Sequence, residues 1–134
     1  MFFIANWKMF GDLKSINSTK KVIKLSKSKN YKNIQIIYCP PYTLIDKFSK
    51  ITKNSNVKIG AQNCHHFQKP GPFTGSINAG LIKSIGAKYV IIGHSENRIQ
   101  GDNNKIINLK IKSALKHKLK IIFCIGERDR KSVV

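Results

Sequence analysis

The chain has 134 residues, with 41% hydrophobic residues, 23% charged residues and a formal net charge of +19 at pH 7. This composition is typical of a globular domain with its own core, and it excludes an intrinsically disordered chain. Because no apolar run approaches the roughly 20 residues of a membrane helix and the first residues lack the basic region of a signal peptide, we expect a cytoplasmic protein without a membrane partner.

Short, continuous apolar runs alternate with amphipathic segments along the chain. Continuous apolar runs are typical of strands that are covered on both faces, as in parallel sheets. The runs predict strands over residues 2–5, 34–38, 57–61, 89–92 and 120–125. The amphipathic segments between them predict helices over residues 12–27, 42–51, 76–85 and 103–118.

Local signals define the ends and the buried faces of the third and fourth predicted helices. Gly86 follows the third helix as the left-handed residue that ends it. Either Asn103 or Asp102 caps the start of the fourth helix. The spacing of the apolar residues places Leu81 of the third helix and Leu115 of the fourth on the buried faces.

The five predicted strands start about 23 to 32 residues apart, which is the length of a βα unit. Such units form either an open, doubly wound sheet or a closed barrel of eight strands. Periodicity does not distinguish these two folds, so both remain open at this point. In both of them, the functional residues lie at the carboxyl ends of the strands.

Titratable residues follow the first and the fourth predicted strands. Lys8 comes just after the first strand, where its ammonium group either meets an anion or extends into solvent. His94 follows the fourth strand and a glycine, and it is either a functional histidine or a capped loop residue. Glu96 is one of only six acids in the chain, and it is a candidate partner for a lysine at a strand end.

Other reactive residues do not form a recognisable site. Cys64, His65 and His66 are adjacent, and adjacent residues rarely bind one metal ion together, so we expect no metal site. Ser95 beside His94 does not have the geometry of a nucleophile and its base. The sequence has no Gly-x-Ser-x-Gly, Walker or Gly-x-Gly-x-x-Gly motif, and we expect no cofactor. Reduced thiols are expected at the three cysteines, Cys39, Cys64 and Cys124.

Five stretches of the sequence resemble one enzyme family, in the order and spacing of that family. They are Asn6-Trp7-Lys8-Met9, Gly60-Ala61-Gln62-Asn63, Phe73-Thr74-Gly75, Tyr89-Val90-Ile91-Ile92-Gly93-His94-Ser95-Glu96-Asn97-Arg98 and Cys124-Ile125-Gly126-Glu127. Together they resemble triosephosphate isomerase over nearly the whole chain. The resemblance implies an α/β fold, the (β/α)8 TIM barrel, here truncated to about five βα units. It also implies a full-length homodimer that interconverts dihydroxyacetone phosphate and glyceraldehyde 3-phosphate through an enediolate, in glycolysis and gluconeogenesis.

The resemblance implies roles for individual residues. His94 is implied to be the electrophile, which moves protons between the two substrate oxygens. Lys8 is implied to bind the triose phosphate and to stabilise the enediolate, while Asn6 orients the substrate. Thr74 lies in the loop that, in the family, reaches into the site of the partner subunit. Supporting roles are implied for three residues, Glu96, Cys124 and Glu127.

The chain departs from the family pattern at two residues and in its length. Asn97 stands where the family usually has arginine, and Ser76 stands where it usually has an acid. The chain stops after the fifth predicted strand, whereas such a barrel takes about 250 residues. Because no acid in the sequence matches the glutamate base of the family, we expect the 134-residue chain alone to be poorly folded and inactive.

The resemblance also divides the chain into two parts. We expect residues 1–128 to form the N-terminal part of a single barrel domain. Residues 129–134 do not resemble the continuation of the family, and they match an in-frame translation of a common sequencing adapter. We therefore expect these six residues to be a non-native tail.

The excess of positive charge leaves alternative functions open. The 25 lysine and arginine residues, against 6 acids, suit a phosphorylated substrate, but also a basic half-barrel module that binds nucleic acid or another anion. The lysines are spread over almost every helical segment and form no basic-aromatic cluster. We therefore favour the isomerase and expect no nucleic-acid partner. Another phosphosugar enzyme is the second alternative.

Overall fold

The computed structural model describes residues 1–31 and 33–125, and each predicted strand is present in this part of the chain. The observed strands begin and end within two residues of the predicted limits. Their bounds are Phe2–Asn6 (β1), Gln35–Cys39 (β2), Val57–Ala61 (β3), Tyr89–Ile92 (β4) and Lys120–Phe123 (β5). The expected non-native tail at residues 129–134 lies outside the described residues.

The order of the strands distinguishes between the two folds that periodicity leaves open. Each strand pairs in parallel with the next one along the chain, which gives the sheet order β1-β2-β3-β4-β5. A doubly wound sheet reverses its strand order at a switch point, and no reversal occurs among the described strands. The sheet therefore consists of consecutive strands of a βα barrel, as the resemblance implies.

Five α-helices connect these strands within the described residues. Their bounds are Ile16–Ser26 (α1), Tyr42–Thr52 (α2), Ala79–Ser84 (α3), Ser95–Ile99 (α4) and Asn104–Lys116 (α5). Asn103 rather than Asp102 caps α5, because its side chain accepts the backbone N–H of Ile106. The sequence pattern does not predict α4, since five residues are too few to show helical periodicity. None of the described helices combines the length and the apolar content that crossing a bilayer requires.

Helix α3 is shorter than predicted, and two leucines expected in the core are exposed. Asn78 caps α3 through the backbone N–H of Leu81, so the helix begins at residue 79 and not at residue 76. Leu81 is 52% exposed and Leu115 is 59% exposed. The same apolar spacing also predicts burial of Ile82 of α3 and Ala114 of α5, and both are buried, so the apolar stripe of each helix is wider than the face that packs on the sheet.

Apolar side chains pack on both faces in the middle of the sheet, as continuous apolar runs predict, whereas Phe2, Phe3 and Ile4 of β1 are exposed. The outer core lies between the sheet and the helices, and it contains the buried residues Ile45, Phe48, Ile59, Ile82, Val90 and Ile92. A smaller inner cluster on the opposite face contains Ile37, Cys39, Tyr89 and Ile91. Gly60 lies between two members of this cluster, where a Cβ atom would stand 2.7 Å from Cys39 Sγ and 3.1 Å from Tyr89 Cβ.

Candidate active site

Two strand ends that are far apart in the sequence bring a lysine and a glutamate together. Lys8 follows β1, and Glu96 lies in the first turn of α4, just beyond β4. The Lys8 ammonium donates a hydrogen bond to Glu96 Oε1 at 2.8 Å, across 88 residues of sequence. Because both side chains are about half exposed, this ion pair is accessible at the carboxyl edge of the sheet.

The backbone of Lys8 has a conformation that residues with a Cβ atom rarely adopt. Its φ angle is +52°, in the left-handed region, which costs about 1–3 kcal/mol for a residue other than glycine. Asn6 Oδ1 accepts the backbone N–H of Lys8 at 3.0 Å. The side-chain amide of Gln62 donates to the Lys8 carbonyl at 2.7 Å. Such strain persists only where the surroundings enforce it, and here two side chains hold the backbone of Lys8.

His94 uses its side chain to cap helix α4. Its Nδ1 atom accepts the backbone N–H of Glu96 at 3.2 Å, which requires that Nδ1 carries no proton. The proton of the neutral ring is then on Nε2, which can donate a hydrogen bond to a ligand. Glu96 Oε2 lies 3.6 Å from Nδ1, which is too far for a hydrogen bond.

Lys8 also controls the protonation of Glu96. The hydrogen bond from the Lys8 ammonium lowers the pKa of Glu96, and the positive charge of Lys8 acts in the same direction. Glu96 is therefore ionised at neutral pH. An ammonium group has three protons to donate, and among the described residues Glu96 is the only hydrogen-bond acceptor for them. Two donors of Lys8 remain for an anionic ligand.

Arg98 connects the loop that carries His94 to the end of β5, although the sequence analysis assigns it no role. Its Nε donates to the Gly93 carbonyl at 2.7 Å, and one terminal nitrogen donates to the Cys124 carbonyl at 3.4 Å. Gly93 has a φ angle of +80°, and a Cβ there would stand 2.9 Å from the Cys124 carbonyl oxygen. No local pattern identifies these contacts, because Gly93 is five residues and Cys124 is 26 residues from Arg98.

Three cysteine thiols lie among the described residues, and burial keeps them protonated. It raises the pKa of Cys39 to about 12 and that of Cys64 to about 11. It also raises the pKa of Cys124, which the positive charge of Arg98 partly opposes. Cys124 contacts the His94 loop through its main-chain carbonyl and not through a reactive thiolate.

The resemblance also implies roles for Thr74 and Glu127. Thr74 is exposed in the turn between β3 and α3, and among the described residues no hydrogen bond joins it to Lys8, His94 or Glu96. Glu127 lies outside the described residues.

The loop after β3 contains stacked rings at the positions that suggested metal ligands. The ring of His65 stacks on that of His66 with 4.4 Å between centroids, and Phe67 stacks on Phe73 at 4.3 Å. In the part of the chain that the structure describes, no group of three or more His, Cys, Asp or Glu side chains converges as a metal site would require.

The described residues contain four carboxylates, and each of them has a partner. The pairs are Asp12 with the backbone N–H of Ser15, Asp46 with Lys50, Glu96 with Lys8 and Asp102 with Lys110. A general base needs an available lone pair within hydrogen-bond reach of the proton that it removes. Within residues 1–31 and 33–125, Glu96 is the one carboxylate beside Lys8 and His94, and its hydrogen bond with Lys8 lowers its pKa and therefore its strength as a base.

A cavity of about 310 Å³ lies away from the strand ends that carry Lys8 and His94. Its walls include Tyr42, Asn63, Cys64, Asp102 and Lys110. Neither Asn6, Lys8 nor His94 lines this cavity, so the chemistry of the strand ends identifies the candidate site better than cavity size does.

Comparison with known proteins identifies one family. The family model for triosephosphate isomerase matches residues 1–133. Triosephosphate isomerase of Dictyoglomus thermophilum is 42% identical over 127 residues, which cover 92% of this chain and 49% of that protein. The Aquifex aeolicus enzyme is 38% identical over 129 residues, which cover 92% of this chain and 50% of that protein. The crystal structure of triosephosphate isomerase from Bartonella henselae matches with a TM-score of 0.84 and 33% identity, covering 94% of this chain and 51% of that chain.

The matches agree in the share of each chain that they cover. They include more than nine-tenths of this chain, whereas the chain spans about half the length of the curated relatives that it matches. The structural match agrees with the truncated TIM barrel that the strand order defines. The family model extends over almost the entire chain, and the chain therefore belongs to the triosephosphate isomerase family.

Proposed function

We propose that this chain supplies half of the active site of an isomerase that interconverts dihydroxyacetone phosphate and glyceraldehyde 3-phosphate. The observation that carries the proposal is the arrangement of Lys8, Glu96 and His94 at the carboxyl ends of β1 and β4. It combines a cation with unused donors and a neutral imidazole that can donate from Nε2. A reaction through an enediolate needs both, because negative charge develops on two substrate oxygens.

Lys8 binds the substrate in this proposal. Its ammonium attracts the triose phosphate and stabilises the negative charge that develops as the enediolate forms. Glu96 holds the ammonium in place and uses only one of its three N–H donors. Asn6, whose Oδ1 accepts the backbone N–H of Lys8, orients the substrate beside the ammonium in this proposal.

His94 is the electrophile in this proposal. Its Nε2–H donates to one substrate oxygen as charge develops there, and the ring then exchanges protons between the two oxygens. The main-chain bond to Nδ1 and the contacts of Arg98 with the loop keep the ring in this tautomer and orientation. Cys124 and Glu127 support this region.

We propose that the glutamate base lies outside this chain. The base must remove a proton from a substrate carbon, whereas Glu96, the one described carboxylate beside Lys8 and His94, has a pKa lowered by the Lys8 ammonium and is therefore a weak base. The 134-residue chain alone therefore does not turn over substrate. The complete enzyme acts in the cytoplasm in glycolysis and gluconeogenesis. It is a homodimer, in which the loop containing Thr74 reaches the partner subunit.

The test uses a hybrid barrel, in which the second half of the Dictyoglomus thermophilum relative continues residues 1–125 of this chain. We expect the hybrid barrel to isomerise triose phosphates in a coupled assay. Lys8→Met and His94→Gln are each expected to lower kcat/KM by about 10²–10⁴-fold. Lys21→Met, which removes an exposed lysine of α1, is the matched control and changes kcat/KM by less than about twofold.

Two results would contradict the proposal. One is equal activity of the Lys8→Met and Lys21→Met variants, because the charge at the strand end would then have no special role. The other is turnover by the 134-residue chain at a rate near that of the hybrid barrel, because the chain would then contain its own base.

A further inference from the structure

We infer that Gln62 is a positioning residue that holds Lys8 in its active conformation, an inference that rests on the proposed function. Gln62 is the first residue after β3. Its Nε2 donates hydrogen bonds to the Lys8 carbonyl at 2.7 Å and to the Cys39 carbonyl at 2.9 Å. A single amide group thus connects the ends of the first three strands.

The hydrogen bonds of β1 show why Lys8 needs this contact. The pairing of β1 with β2 continues as far as Trp7, whose backbone N–H donates to the Cys39 carbonyl at 3.1 Å. At Lys8 the chain turns out of the ladder, with a φ angle of +52°. Its N–H donates to Asn6 Oδ1, and its carbonyl accepts from Gln62. Gln62 therefore supplies a bond where the sheet can no longer do so.

The residue after Gln62 is itself fixed, which gives Gln62 a rigid support. The Asn63 side-chain oxygen accepts the Lys110 ammonium at 2.9 Å and the backbone N–H of Cys64 at 2.8 Å. The Asn63 carbonyl accepts the Tyr42 hydroxyl at 2.6 Å. On the other side of Gln62, β3 ends in the fully buried Ala61. The amide of Gln62 therefore approaches Lys8 from a backbone that cannot easily move.

A second glutamine provides a matched comparison. Gln35 also donates from Nε2 to two main-chain carbonyls, those of Asn56 and Ile36. It lies at the start of β2, at the opposite edge of the sheet from Lys8. Loss of either amide removes the same kind of bond, but only the loss at Gln62 affects the backbone that directs the Lys8 ammonium.

The experiment compares Gln62→Met with Gln35→Met in the hybrid barrel. Methionine preserves the length of the side chain and removes its donor. We expect Gln62→Met to raise KM and to lower kcat, with a fall of about 10²-fold in kcat/KM, because a small displacement of a binding group has an effect of this size. Gln35→Met is expected to keep KM. A purely structural loss would reduce the amount of folded enzyme and so lower the apparent kcat at unchanged KM, for both variants alike.

The conservative variant Gln62→Glu adds a pH readout. Its carboxylate cannot donate, but its protonated form restores one of the two hydrogen bonds. We expect the kcat/KM of this variant, relative to the unmutated hybrid barrel, to rise as the pH falls from about 8 to about 5. A ratio that does not change with pH would count against the inference.

Crystal structures of the variants separate this inference from the proposed function. If the hybrid barrel folds without turnover, the proposed function is wrong. The φ angle of Lys8 and the distance from its ammonium to Glu96 in the crystal structures then decide the role of Gln62. We expect Lys8 to leave the left-handed region in Gln62→Met, with its ammonium more than 4 Å from Glu96. An unchanged φ near +52° and an unchanged 2.8 Å contact would overturn the inference, as would equal kinetics of Gln62→Met and Gln35→Met.

Discussion

Replacement of Lys110 by methionine is expected to destabilise the barrel by about 3 kcal/mol. Lys110 extends from α5 with only 6% of its side chain exposed, and it binds both carboxylate oxygens of Asp102. Asp102 is 12% exposed, so little water can replace its partner. Removing one partner of a buried ion pair costs about 3–5 kcal/mol of stability. The residual exposure of Asp102 favours the lower end of that range.

Two further variants identify the origin of this loss. Lys50→Met breaks the exposed ion pair with Asp46, whose side chains are 71% and 52% exposed, and is expected to cost less than about 1 kcal/mol. In the double variant Lys110→Met/Asp102→Leu, no unpartnered charge remains. Its stability is therefore expected to lie within about 1 kcal/mol of that of the unmutated protein.

Urea unfolding of the hybrid barrel, followed by far-ultraviolet circular dichroism, measures these free energies. The reasoning attributes the cost of Lys110→Met to the charge left on Asp102. It would be refuted if Lys110→Met cost no more than Lys50→Met. It would also be refuted if the double variant were at least as unstable as the single one, since the loss would then come from the packing of the lysine stem.

Two more predictions concern the inner face of the sheet and the ion pair at the strand ends. Gly60→Ala is expected to cost about 1–3 kcal/mol, because the new Cβ would stand 2.7 Å from Cys39 Sγ; urea unfolding measures this cost, and the additional substitution Cys39→Ala is expected to recover part of it. The Lys8–Glu96 pair is expected to stabilise the fold only while Glu96 is ionised. Because the pKa of Glu96 is lowered from its usual value of 4.5, its contribution is complete above that pH and is lost as the pH falls through the lowered value. The difference in unfolding free energy between the unmutated barrel and Glu96→Gln is therefore expected to be largest near neutral pH and to shrink as the pH falls below 4.5, which urea unfolding at a series of pH values measures.

The strands were predictable from the sequence because their signal is local. Continuous apolar runs are typical of strands that are covered on both faces, and the five runs correspond to β1–β5 within two residues. Lys8, His94 and Glu96 could be selected because polar residues directly after such strands share one edge of a parallel sheet. The short helix α4 and the true start of α3 were not predictable from periodicity, since capping by His94 and Asn78 determines where these helices begin.

The contacts of Lys110 with Asn63 and of Gln62 with Lys8 depend on the path of the whole chain. In a sequence with 25 basic residues, nothing local marks Lys110 as buried; it binds Asp102 across eight residues of sequence and Asn63 across 47. Gln62 lies in a recognisable stretch, but its bond to Lys8 spans 54 residues. Short-range patterns report which surfaces a segment must cover. A polar partner that is distant in the sequence is set only when the order of the strands places the two segments side by side.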